Sequence, residues 1–168
     1  NRYGPHAAKD GSDGLIIDVS GVPHLFGGEQ DLLGDLTARL DRAGVGSKCA
    51  IAGTRGGAWA LARRGGGVIP EGKLQERLGP LPVSALRIEP EIAEGLARLG
   101  LHKIDDLTAV PRAPLARRFG PELLRRLDQA LGTQAEPVAA EPDPPHFGVR
   151  MTLPEPIGLT ADVMAALD

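Results

Sequence analysis

Two carboxylates bracket a short apolar run. Asp13 precedes Gly14-Leu15-Ile16-Ile17 and Asp18 follows it. Acidic residues on a strand can hold divalent cations for phosphoryl or nucleotidyl transfer, but at least two oxygen ligands must converge on one point. The run contains β-branched residues and is bounded by Gly14 and Gly21, so it reads as a buried strand. Side chains alternate along a strand, which puts Asp13 on the face of Leu15, Ile17 and Val19, and Asp18 on the face of Ile16 and Ser20. The two carboxylates make no ligand pair unless the strand begins after Asp13. From the residues alone, a structural or solvated role is favoured for both.

Other reactive residue types give less. Cys49 is the one cysteine, which excludes an internal disulfide and a Cys-based zinc site. In "SKCAIAG" it reads as a small core residue of a buried strand. His6, His24, His102 and His146 share no ligand spacing, and no catalytic or metal role falls to them.

The elements that must position these residues follow from patterning. Hydrophobic residues make up 42% of 168 residues, enough for a real core in one domain or two small ones. Aromatics are only 3%, so that core is built from Leu, Ile, Val and Ala. A net charge of −3 argues against a wholly basic nucleic-acid binder but leaves room for local basic patches. Neither a signal peptide nor a membrane span is recognisable, so the expectation is a soluble cytoplasmic protein. The chain starts without Met and stops within an apparent amphipathic helix, as expected of a piece of something larger.

Leu32, Leu33, Leu36 and Leu40 recur at helical spacing, with Gly44 as the stop. "SKCAIAG" is a second strand, "TRGGAWALARR" a short helix capped by Thr54, and "GVIP" a third strand. Strand, helix, strand, helix predicts an α/β layer. From about residue 71 only short helices follow. One ends at Gly100 and another starts at Pro121. Residues 133 to 146 lack periodicity and are rich in Pro, Ala and Glu, the composition of a linker. "FGVRMTLPEPI" reads as a further strand, and residues 160 to 168 as the start of a helix.

The order of these pieces resembles a family. "RYGPHAAKDGSDGLIIDVSG", "LFGGEQDLLGDLTARL", "AIAGTRGGAWALAR" and "LPVSALRIEPEIAEGLARLGLHKIDDL" together look like a Y-family (UmuC/DinB-type) DNA polymerase, and among these like the ImuB-type proteins of bacterial mutagenesis cassettes. The motifs are individually weak, and their order carries the likeness. The resemblance implies a partial palm at 1–70, a helical thumb of helix-hairpin-helix type at 71–132, a linker at 133–145 and the start of an α/β little-finger domain at 146–168. It also implies that the first palm strands and the fingers are missing.

The family's Ser-Ile-Asp-Glu pattern falls on Gly11-Ser12-Asp13-Gly14. Asp13 thus corresponds to a metal-binding Asp, while Gly14 stands where the neighbouring acid belongs. Two-metal nucleotidyl transfer needs a dense carboxylate cluster, so Asp13 is expected to be vestigial. No metal and no catalytic residue is expected to function here, and Mg²⁺ enters only if the parent protein is an active polymerase. Trp59 falls on a lysine position of the helix that holds the triphosphate in active members. It reads as a core residue, with Arg55 and Arg63 as phosphate-contact candidates. In the thumb, "RIEP" replaces the family's Gly-Ile-Gly. The second turn is kept, which makes Gly100, His102 and Lys103 candidates for contact with a DNA backbone, aided by Arg112, Arg117, Arg118, Arg125 and Arg126. Residues 87 to 131 nevertheless hold eight Lys/Arg against seven Asp/Glu.

The resulting expectation is a non-catalytic polymerase homologue in damage-induced (SOS) translesion synthesis. It would bind DNA weakly, without sequence preference, and work near the nucleoid. A sliding clamp, a RecA-like protein and an error-prone C-family polymerase are the partners implied for the parent, with no membrane. The alternatives are an active Y-family polymerase and an unrelated helical DNA- or protein-binding module.

Overall fold

The computed structural model describes residues 2 to 138. The expected little-finger strand and helix, and most of the expected linker, lie outside them.

The chain opens with a β-hairpin, β1 (His6–Asp10) against β2 (Gly14–Asp18), antiparallel with Asp10 opposite Gly14. The three-residue turn between them uses Gly11 at φ 70, a left-handed conformation that glycine adopts without strain. A 3-10 turn (Pro23–Leu25) leads to α1 (Glu29–Arg42). β3 (Ala50–Ile51), α2 (Arg55–Ala62) and β4 (Gly67–Val68) form a parallel strand pair with α2 as the crossover. α3 (Leu74–Leu78), a 3-10 turn (Val83–Leu86), α4 (Pro90–Ala97), α5 (Ile104–Thr108), α6 (Arg112–Phe119) and α7 (Pro121–Leu131) follow.

Local sequence accounts for several boundaries. Thr54 caps α2, its hydroxyl accepting from Gly57 N–H at 3.0 Å and donating to the Ala130 carbonyl at 2.8 Å. Pro121 occupies the first turn of α7, and Gly132 ends it at φ 83. Gly56 lets α2 approach α7, since a Cβ there would lie 2.8 Å from the Ala130 Cα.

Four expectations are corrected. The strand at 14–18 is not fully buried: Leu15 is 63% exposed, and Ile16 and Ile17 are covered only in part. Its partner is β1, which the apolar run did not reveal, and the described strands make two separate pairs rather than one partial sheet. The helical region from 71 onwards is also not a lobe with its own core. Ala60, Leu61 and Ile69 belong to the same buried cluster as Leu78, Leu86, Leu96, Ile104, Leu115, Leu123 and Leu127. The close approach at Gly56 joins what patterning alone separates. Finally, Trp59 is only partly buried and lies outside the core cluster.

Candidate functional site

Arg55, Trp59 and Arg63 recur every four residues along α2 and its C-cap, so they line one face of the helix. That face meets the hairpin turn. Arg55 Nη2 donates to Asp10 Oδ1 at 2.7 Å, and Arg63 Nη2 donates to Asp13 Oδ1 at 2.9 Å. The Arg63 guanidinium also lies over the Trp59 ring, 4.0 Å from its centre. The first pair is largely shielded from water, whereas Asp13 is mostly solvent-exposed. The two acids of the turn are thus each neutralised by an arginine, and both phosphate-contact candidates are engaged inside the protein.

Asp18 stands at the far end of β2. Four strand steps separate it from Gly14, about 13 Å. Hydrogen bonds from Ser20 hold its carboxyl below the usual carboxylate range. It does not join Asp13. Gly14, for its part, is opposite Asp10 in the hairpin, and a Cβ there would lie 2.7 Å from the Asp10 carbonyl oxygen. Among the described residues no three His, Cys, Asp or Glu side chains gather as a cation site. A catalytic Mg²⁺ pair does not fit this donor set: one exposed carboxylate already bound to arginine, a glycine beside it, and a second carboxylate paired with Arg55.

In the helical region the turn before α4 contains Arg87 at φ 56, the one non-glycine with a left-handed backbone among the described residues. Its guanidinium forks onto the Glu136 carboxylate, with Nη1 at 2.9 Å from Oε1 and Nη2 on Oε2. Arg126 Nη1 reaches the same Oε1 at 3.3 Å. Glu89 and Pro90 open α4 with a negative side chain and without one N–H donor, so the main-chain N-terminus of this helix offers an anion little.

The turn before α5 places Gly100 at φ 78, with exposed His102 and Lys103 side chains. Its main-chain donors are already used. Gly100 N–H donates to the Ala97 carbonyl at 2.9 Å, and the N–H groups of His102 and Lys103 both donate to Asp106 Oδ2 at 2.8 Å. Those bonds, that from Lys103 first, hold the Asp106 carboxyl below its usual range. Arg112 pairs with Asp128, Arg125 with Glu122, and Arg126 with Glu122 and Glu136. Arg117 and Arg118 are exposed on α6 and pair with no carboxylate among the described residues, though Arg118 lies 5.7 Å from the Phe119 ring centre. Sequence reading missed Asp106 and Glu136. An acid three residues after the helix cap was a visible signal for Asp106. Glu136 lies in an aperiodic stretch that offered none.

The hairpin, the β3–α2–β4 unit and the helices packed on α2 make up a fold found in Y-family polymerases. A crystal structure of DinB from Sulfolobus solfataricus superimposes with a TM-score of 0.67 at 21% identity, covering 82% of this chain and 43% of that one. A ternary complex of Dbh gives a TM-score of 0.59 at 22% identity, over 75% and 40%. No protein-family model matches the chain. At the level of sequence it is 45% identical to Protein ImuB from two strains of Caulobacter vibrioides over 165 residues, 96% of this chain and 36% of ImuB. Over nearly all of its length the chain is thus similar to part of ImuB, and it spans about a third of the length of those relatives. Among the described residues no helix is long and apolar enough to cross a membrane.

Proposed function

We propose that this chain is part of a polymerase-like protein of DNA damage tolerance that no longer synthesises DNA and serves instead as an adaptor in translesion synthesis. The observation that carries this reading is the hairpin turn. Where nucleotidyl transfer needs free carboxylates around two cations, Asp10 and Asp13 are each bound by an arginine of α2, and Gly14 supplies no ligand. Residues 1–70 act as a partial palm, 71–132 as a thumb, 133–145 as a linker and 146–168 as the start of a little finger. DNA contact is weak and independent of sequence, through exposed groups such as Arg117, Arg118, His102 and Lys103. In the full-length protein the sliding clamp, a RecA-like protein and an error-prone C-family polymerase are the partners, and the work is done at the nucleoid during the SOS response.

The test is primer extension by a full-length protein containing this segment. The adaptor reading expects no template-directed incorporation. Sustained incorporation would replace it with an active translesion polymerase.

A further inference from the structure

Arg87 and Arg126 converge on a single carboxylate, Glu136, just past the end of α7. Arg87 and Glu136 each keep only 12% of their side-chain exposure, so the pair is mostly withdrawn from water. Such a pair is expensive to desolvate and is a weak source of net stability. Its geometry, an arginine fork on two oxygens with a second arginine on one of them, is the geometry with which arginines grip phosphate. The segment carrying Glu136 is lightly held. Thr133 and Gln134 N–H groups donate to the Asp128 carbonyl, and beyond Gln134 no main-chain hydrogen bond ties residues 135 to 138 to the described protein. Glu136 is therefore held by its charge. With it displaced, Arg87 keeps no carboxylate partner among the described residues, and Arg126 keeps only Glu122, which it shares with Arg125.

We propose that Arg87 and Arg126 form a phosphate-binding site for the nucleic-acid backbone, masked in this structure by Glu136 acting as a tethered substitute for the phosphate. The inference rests on the reading that the helical region meets DNA and adds a regulation of that contact. The site opens only when the segment after α7 lifts away. The weak binding expected of the closed protein then reflects an occupied site as well as a near-neutral surface.

The test compares the chain with Glu136→Gln and with the double variant Glu136→Gln/Arg87→Gln. Binding to a fluorescein-labelled DNA duplex is measured from 25 to 200 mM salt, with circular dichroism as the control for folding. Glu136→Gln is expected to bind on the order of tenfold more tightly at the lowest salt and to show a steeper loss of affinity with salt, by about one phosphate contact. The double variant loses both gains. If Glu136→Gln fails to fold, Glu136→Asp takes its place. Asp keeps the charge but withdraws it by one methylene, and a smaller gain of the same sign is expected. Unchanged affinity and salt slope in a folded variant would overturn the proposal. So would stabilisation of Glu136→Gln against heat by inorganic phosphate without any gain for DNA, which would mark an anion site that DNA does not reach. Incorporation of nucleotides is read separately, so a failure of the adaptor reading leaves this comparison intact.

Discussion

At Asp13, side-chain chemistry alone does not decide what the carboxylate does; its neighbours do. Arg63 sits on it, and Gly14 gives it no companion. The Asp13–Arg63 pair is exposed, and such pairs contribute about 0–1 kcal/mol. Asp13→Ala is therefore expected to change the unfolding free energy by no more than about 0.5 kcal/mol in urea titrations. Asp10→Ala should cost more, about 1–3 kcal/mol, because it strands a half-buried arginine. A larger loss at Asp13 than at Asp10 would contradict this assignment. Asp106 yields a prediction in pH. Its folded carboxyl lies below the ordinary value, so its contribution is complete above that value and disappears as pH falls through the lowered one. Asp106→Asn should flatten the fall in stability below about pH 4 relative to the unmodified chain. Parallel curves for the two proteins in urea titrations from pH 2.5 to 7 would show that the carboxylate is not engaged as described.

Among the elements, α2 joins everything the chain does. One face carries Arg55, Trp59 and Arg63 to the hairpin, and Gly56, on the adjoining face, lets the helix press onto α7. Gly56→Ala introduces a methyl 2.8 Å from the Ala130 Cα, so the helices must part. A loss of about 1–3 kcal/mol in unfolding free energy is expected, measurable as a lower urea midpoint; a neutral or stabilising result would show that the helices are not packed as closely as described. The sequence made much of this element legible. The Thr54 cap, the spacing of α1 and the proline start of α7 are all local signals, and all three are realised. What was not legible was non-local. β1 has only the weak alternation of His6 to Asp10 and is stabilised by its pairing with β2. Trp59 looked like a core residue because its hydrophobicity was visible and the arginine over its ring was not. The glycine beside Asp13 was readable in the sequence, but the arginines that pair with Asp10 and Asp13 come from some 45 to 50 residues away.

At the scale of the whole molecule, the buried cluster runs without a break from Ala60 to Ala130. A change of sequence texture near residue 71 suggested two lobes, yet texture reports local periodicity and says little about which faces meet. One core implies one cooperative transition. The single tryptophan, Trp59, lies on α2, so its fluorescence follows that helix, while far-UV circular dichroism follows all the helices. Coincident urea transitions are expected, and a Trp59 transition well separated from the helical one would divide the core. The central claim concerns chemistry. It is tested most directly by supplying a primed template, the four dNTPs and Mg²⁺ or Mn²⁺ to a full-length protein that contains this segment. Arginine-bound acids and a missing ligand should leave no incorporation above background. The Gly14→Glu variant should not restore it, because the added Cβ meets the Asp10 carbonyl and the arginines remain. Robust, template-directed extension by the unmodified protein would contradict the account.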